Sequence, residues 1–95
     1  MEFIQTGMAG TMESGDIYVE IERGEPGRVS VELNSTVGRE FGAQIERAIR
    51  ATLADCALSG VFVRVVDKGA LDCTIRARVS AAAYRCAGRD DFTWR

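Results

Sequence analysis

The sequence predicts an α+β fold: a two-layer sandwich with an antiparallel sheet on one side and two helices on one of its faces. Three observations predict it. Apolar and polar residues alternate in two early segments, around Ile17–Glu22 and Val29–Leu33. Apolar residues then recur at three- and four-residue steps from Val37 to Cys56. A second alternating stretch follows, so the order reads strand, strand, helix, strand, strand, helix (ββαββα), with room for one more strand at the N-terminus. At 95 residues the chain fits a single domain, 1–95, with a thin core. Residues 1–12 and 89–95 read as flexible ends.

The elements follow in order. Ile17, Val19 and Ile21 share one face of the first clear strand, with Tyr18, Glu20 and Glu22 on the other. Val29, Val31 and Leu33 do the same in the next, and Gly24-Glu25-Pro26-Gly27 between them reads as a hairpin loop. Asn34-Ser35-Thr36 supplies capping residues for a helix from about Thr36 to Ala57. Its apolar stripe is Val37, Phe41, Ile45, Ile49, Leu53 and Cys56, Glu46 and Arg50 form an i,i+4 pair on its wet side, and Ser59-Gly60 ends it. Val61, Val63 and Val65 begin a second hairpin, Asp67-Lys68-Gly69 turns it, and Leu71, Cys73, Ile75, Ala77 and Val79 return. Leu71, Ile75 and Val79 also stand four apart, as in a helix, but the period of two over nine residues favours a strand. Ala81 to Cys86 then reads as a short second helix closed by Gly88. Glu20, Glu22 and Glu32 on the wet face of the first hairpin are expected opposite Arg64, Arg76 and Arg78 on the second.

Composition excludes several functions. The formal net charge is -2, which disfavours a nucleic-acid partner, since phosphate neutralisation needs clustered cations. There is no histidine, so a Ser-His-Asp or Cys-His site cannot be assembled from this chain, and no metal-ligand spacing appears. The three cysteines, Cys56, Cys73 and Cys86, are odd in number and lack a CxxC pair, which predicts free thiols in a reducing cytoplasm. Cys73 on the apolar stripe, and Cys56 near a helix end, read as core rather than nucleophiles. No apolar run is long enough to span a bilayer, and no membrane partner is expected. Trp94 reads as part of a loose tail, with a partner anchor as the alternative.

The N-terminal segment is different in character. Gly7, Gly10 and Gly15 interrupt small and polar residues up to Asp16, a short strand over Met8 to Met12 fits, and Glu13-Ser14-Gly15-Asp16 reads as the tight turn into the Ile17 strand. Ser14 reads in two ways. One is an ordinary turn serine. The other is an exposed hydroxyl at a loop tip that a modifying enzyme can grip, with Gly15 leaving the backbone beside it uncrowded. Glu13 and Asp16 would then repel an attached phosphate.

Two stretches resemble a known family. Ala9-Gly10-Thr11-Met12-Glu13-Ser14-Gly15-Asp16 resembles the attachment motif of the citrate lyase acyl carrier proteins, the gamma chains of that complex. Asp67-Lys68-Gly69-Ala70-Leu71-Asp72-Cys73, continuing into Ile75-Arg76-Ala77-Arg78, resembles that family's second signature, and Phe41-Gly42 with Gln44-Ile45 is similar to it as well. The resemblance implies that the chain is not an enzyme but a carrier subunit. It implies that Ser14, within the motif completed by Gly15 and Asp16, holds a phosphoribosyl dephospho-coenzyme A group through a phosphodiester, derived from the triphosphoribosyl form. The terminal thiol would carry acetyl and citryl groups while citrate is cleaved to oxaloacetate and acetate. The implied partners are an acyltransferase (alpha) subunit, a lyase (beta) subunit, a prosthetic-group transferase and an acetylating ligase. The carrier subunit of malonate decarboxylase, with a similar serine-glycine-aspartate motif, is the nearest alternative. An unmodified interaction domain is the alternative of another class.

Overall fold

The chain runs through β1 (Gly7–Gly10), β2 (Ile17–Arg23), β3 (Val29–Ser35), α1 (Gly38–Asp55), β4 (Val61–Asp67) and α2 (Asp72–Cys86). The structure, a computed structural model, describes residues 1–89. The expected loose tail with Trp94 lies outside the described residues, apart from Arg89. The α+β class holds, with four strands in one layer and both helices in the other, and β1 is the additional N-terminal strand.

The sheet has the order β1-β2-β4-β3. The β1–β2 and β2–β4 pairs are antiparallel, but β3 and β4 run parallel. The sheet is therefore mixed and not wholly antiparallel as expected. The cause lies in β4, Val-Phe-Val-Arg-Val-Val-Asp, a near-continuous apolar run of the kind that suits a strand flanked on both sides. It inserts between β2 and β3, which consequently form no hairpin. Residues 24–28 instead straddle the start of β4: Gly24 N–H donates to the Gly60 carbonyl at 2.9 Å, and Gly60 N–H donates to the Arg28 carbonyl at 2.8 Å. The parallel pair is joined through α1, the usual crossover for parallel neighbours.

The larger correction concerns residues 71–79, which are helix and not strand. The buried residues of α2 are Ile75, Val79, Ala82, Ala83 and Cys86, a helical spacing, while Leu71 is 72% exposed and Cys73 is exposed too. The reason is coverage. Four strands at about 4.8 Å spacing make a layer near 19 Å wide, which takes two helices of roughly 10 Å diameter to cover. A helix of six residues would leave Ile17, Val19 and Ile21 open to water. With α2 extending from Asp72 to Cys86, those three residues and Val61, Val63 and Val65 of β4 are fully buried against the helices. One row across the sheet reads Ala9, Val19, Val65, Leu33 from β1 to β3.

The opposite face carries Arg64 between Glu32 at 3.0 Å, Glu20 at 3.6 Å and Glu22 at 3.9 Å, so the charge pairing expected there forms around Arg64. Solvent screens these exposed pairs, and they contribute little stability. Arg76 and Arg78 are absent from that face because they lie on α2: Arg76 pairs with Asp72 at 2.9 Å within the helix, and Arg78 reaches Asp16. Glu46 and Arg50 pair at 3.0 Å as expected.

Helix α1 begins within two residues of its expected start, but no side chain caps it: Ser35 belongs to β3, and the N-cap position is Val37. Both helices end in the same hydrogen-bond pattern. In α2, Gly88 N–H donates to the Arg85 carbonyl and Arg89 N–H to that of Tyr84, with Gly88 at φ 68. In α1, Ala57 N–H donates to the Ala54 carbonyl and Leu58 N–H to that of Leu53, but the left-handed residue is Ala57 at φ 53. An alanine there bears a steric cost that glycine avoids. Ala57→Gly is therefore expected to stabilise the fold by about 0.5 kcal/mol, after the larger unfolded-state entropy of glycine is subtracted. Urea unfolding would show a higher midpoint at unchanged slope, and a lowered midpoint would contradict it.

Candidate functional site

Strand β1 and strand β2 form a true hairpin, with Gly10 opposite Tyr18, and residues 11–16 are its tip. Asp16 N–H donates to the Glu13 carbonyl at 3.0 Å, and Gly15 has φ 83. With positive φ confined to the third residue, Glu13–Asp16 is a type II turn, which requires a glycine-like conformation where Gly15 stands. Ser14 occupies the outer corner. Its side chain is exposed, and it makes no hydrogen bond among the described residues.

The tip is held from below by Asp16. Its Oδ1 accepts from Ile17 N–H at 2.7 Å and from Arg78 Nε at 3.1 Å, and its Oδ2 accepts from the Thr11 hydroxyl at 2.7 Å and from Arg78 Nη2 at 2.9 Å. Burial alone would raise the Asp16 pKa. The hydrogen bonds from Arg78, Thr11 and Ile17, with the arginine charge, outweigh burial and hold it at about 2. Of the two acids expected to repel a phosphate on Ser14, Asp16 is thus turned inward and compensated, whereas Glu13 stays exposed.

A second set of bonds joins the tip to the turn after β4. Gly15 N–H donates to the Lys68 carbonyl at 2.7 Å, and Lys68 N–H donates to the Asp16 carbonyl at 2.9 Å. That turn is itself organised by Asp67, which is 1% exposed. The Asp67 carboxylate accepts from the Ser35 hydroxyl at 2.7 Å, from Ala70 N–H at 3.0 Å and from Gly69 N–H at 3.2 Å. The segments 9–16 and 67–78, far apart in the chain, therefore meet at one place. No group of three or more metal-ligating side chains occurs among the described residues, and no described helix is long and apolar enough to cross a membrane.

Residues 4–86 match the family described as malonate decarboxylase delta subunit (MdcD), an acyl carrier protein family. Over all 95 residues the chain is 43% identical to the citrate lyase acyl carrier protein of Streptococcus uberis, covering 100% of this chain and 93% of that one. The corresponding protein of Streptococcus pyogenes strain Manfredo is 39% identical with the same coverage. The chain belongs to the citrate lyase acyl carrier protein family. The fold is also that of a chain in a Pseudomonas malonate decarboxylase hetero-tetramer solved with malonate, with a TM-score of 0.73 and 21% identity, covering 90% of this chain and 99% of the other.

In this citrate lyase acyl carrier family member, Ser14, Gly15 and Asp16 lie on one tip. The three residues that hold the tip, Thr11, Lys68 and Arg78, escaped the sequence reading as supports. Arg78 escaped because reading 71–79 as a strand sent it to the wrong layer. The four-residue spacing of Ile75 and Val79, continued by Ala82, Ala83 and Cys86, pointed to a helix without outweighing the period of two. The cysteines are free, but Cys73 is exposed, not core as expected, because the helical period turns it outward. Cys56 is partly buried against the core, and Cys86 is buried, which pushes its thiol up to about 11.

The depressed Asp16 pKa has a pH consequence. A carboxylate with a lowered folded-state pKa contributes stability that is present above its unfolded pKa, about 4, and is lost as the pH falls through about 2. Asp16→Asn should therefore cost on the order of 1 kcal/mol at neutral pH, discounted for the half-exposed arginine, and the gap to the parent should close between about pH 4 and pH 2. Parallel urea melts across that range check it, and a gap independent of pH would contradict it.

Proposed function

We propose that the chain is the acyl carrier subunit of a citrate lyase, bearing a phosphoribosyl dephospho-coenzyme A arm on the Ser14 hydroxyl. The observation that carries this reading is the geometry of the tip: an exposed, unbonded hydroxyl on the corner of a turn pinned by Lys68 and Arg78. The residues fit such a group. A Cβ added at Gly15 would meet nothing within 4 Å, so the space around the attachment point is open. The identity of 39–43% to proteins named for citrate lyase supports citrate as the substrate of the complex.

The chain's own contribution is position. Ser14 has no hydrogen-bonded base among the described residues, and a separate transferase installs the arm. The Ser14 O–H bond is replaced by an O–P bond, diphosphate leaves the triphosphoribosyl donor, and the proton passes to the transferase or solvent. When attached, the group supplies a thiol that holds acyl chains as thioesters. The pinned turn fixes the root of the arm, so the thiol samples a limited volume at roughly millimolar local concentration for the partner sites. Those partners would be the acyltransferase (alpha) and lyase (beta) subunits, with the transferase and an acetylating ligase preparing the arm.

A second reading has its own support. The matched family description and the fold neighbour both name malonate decarboxylase, so a carrier of that complex is the alternative substrate assignment. Intact mass and peptide mapping of protein from its native host test the shared part: one nucleotide-thiol adduct is expected, on the peptide containing Ser14. Assembly with each set of partner subunits then separates citrate from malonate turnover. An unmodified chain would count against both readings.

A further inference from the structure

A groove of about 360 Å³ opens between α1 and the start of α2, lined among others by Phe41, Gln44 and Ile45 from α1 and by Gly69, Leu71 and Asp72. Phe41 is 49% exposed and Leu71 72% exposed, although both are large and apolar. Single exposed apolar side chains are ordinary. Here the two share one apolar concavity, and that concavity adjoins the attachment tip. Lys68, whose carbonyl accepts from Gly15, immediately precedes Gly69. The path from Ser14 through the Gly15–Lys68 hydrogen bond to Gly69 limits their backbone separation to about 10 Å.

We propose that this groove seats the adenosine segment of the arm, which follows directly on the phosphoribosyl link to Ser14, while the pantetheine end remains free. The proposal rests on Ser14 as the attachment point. Reach and size select the occupant. Small-molecule sites run from about 300 to 1,000 Å³, so this groove admits one nucleoside-sized fragment and not the whole arm. Chemistry agrees: a flat aromatic base suits the Phe41 ring and the Leu71 side chain, and the Gln44 amide and Asp72 carboxylate supply polar groups for its edge. The Asp72 carboxylate, paired with Arg76, also disfavours the arm's phosphates in the same place. Anchoring the root in this way shortens the part of the arm that swings.

The test compares isotope-labelled apo and fully loaded carrier by NMR, with loading verified by intact mass. The expected result is shifted amides at Phe41, Gln44 and residues 69–72 as well as at the tip, and adenine proton lines as broad as those of the folded protein. In loaded Leu71→Ser and Phe41→Ala carriers, the groove shifts should vanish and the adenine lines sharpen. Serine is acceptable at the N-cap position that Leu71 occupies, so the first variant should keep its fold. Complete loading with shifts confined to residues 13–16 would overturn the groove proposal and leave the Ser14 assignment standing. Shifts that appear at the groove only when partner subunits are added would overturn it in favour of protein docking. Absence of an adduct at Ser14 would overturn both.

Discussion

A Ser14→Ala chain is expected to fold like the parent, to gain no arm, and to support no measurable citrate cleavage when assembled with its partner subunits. The structure separates these outcomes cleanly. Ser14 is exposed and unbonded among the described residues, while the turn is held by the Asp16 N–H bond to the Glu13 carbonyl, by the Gly15 bond to Lys68 and by the Asp16 side chain. Removing one hydroxyl touches none of them, so stability should change by no more than about 0.5 kcal/mol. The chemical loss is total for a tethered mechanism, because no other residue inherits the covalent bond. Without the tether, any free thiol carrier would act at a local concentration lower by a factor of about 10² to 10⁴. Intact mass after incubation with the transferase, urea melts, and citrate turnover of the assembled complex read the three parts separately. Turnover at the parental rate would remove the basis of the carrier reading.

Asp67→Ala is expected to cost about 3 kcal/mol and to slow loading of Ser14, although Asp67 touches neither the serine nor the arm. Asp67 is 1% exposed and its carboxylate accepts three hydrogen bonds, so truncation empties a buried position and removes the acceptor of the Gly69 and Ala70 N–H groups and of the half-buried Ser35 hydroxyl. The turn it organises contains Lys68, whose backbone holds both Gly15 and Asp16. The damage therefore propagates to the tip through two backbone hydrogen bonds. Asp67→Asn, which keeps one carboxamide oxygen as acceptor, should recover part of both effects. Urea melts and the initial rate of adduct formation measure them. A destabilised Asp67→Ala chain loaded at the parental rate would show that the tip does not depend on the turn after β4.

The elements that rest on near neighbours could be read directly. Ile17, Val19 and Ile21 alternate because a strand alternates, and they form β2. The stripe from Phe41 through Leu53 lies on α1, with Val37 at its N-cap, and Gly88 ends α2 as expected. The turn Glu13–Asp16 was legible from Ser-Gly, and with it the exposure of Ser14. The segment 71–79 was not, because Leu71, Cys73, Ile75, Ala77 and Val79 satisfy a period of two as well as Ile75, Val79, Ala82 and Ala83 satisfy a helix. Local pattern offers no tie-break there. The strand order escaped for the same reason: nothing near Gly24–Gly27 announces that β4 will come between the two strands it connects.

Residue periodicity and turn chemistry set the class of the fold, most of its elements and the serine on the hairpin tip, since each depends on contacts a few positions apart. The insertion of β4, the helical state of 72–86 and the clamp of Arg78 on Asp16 belong to the assembled protein. They follow from the need to cover a four-stranded apolar face, a demand that no short window of residues contains.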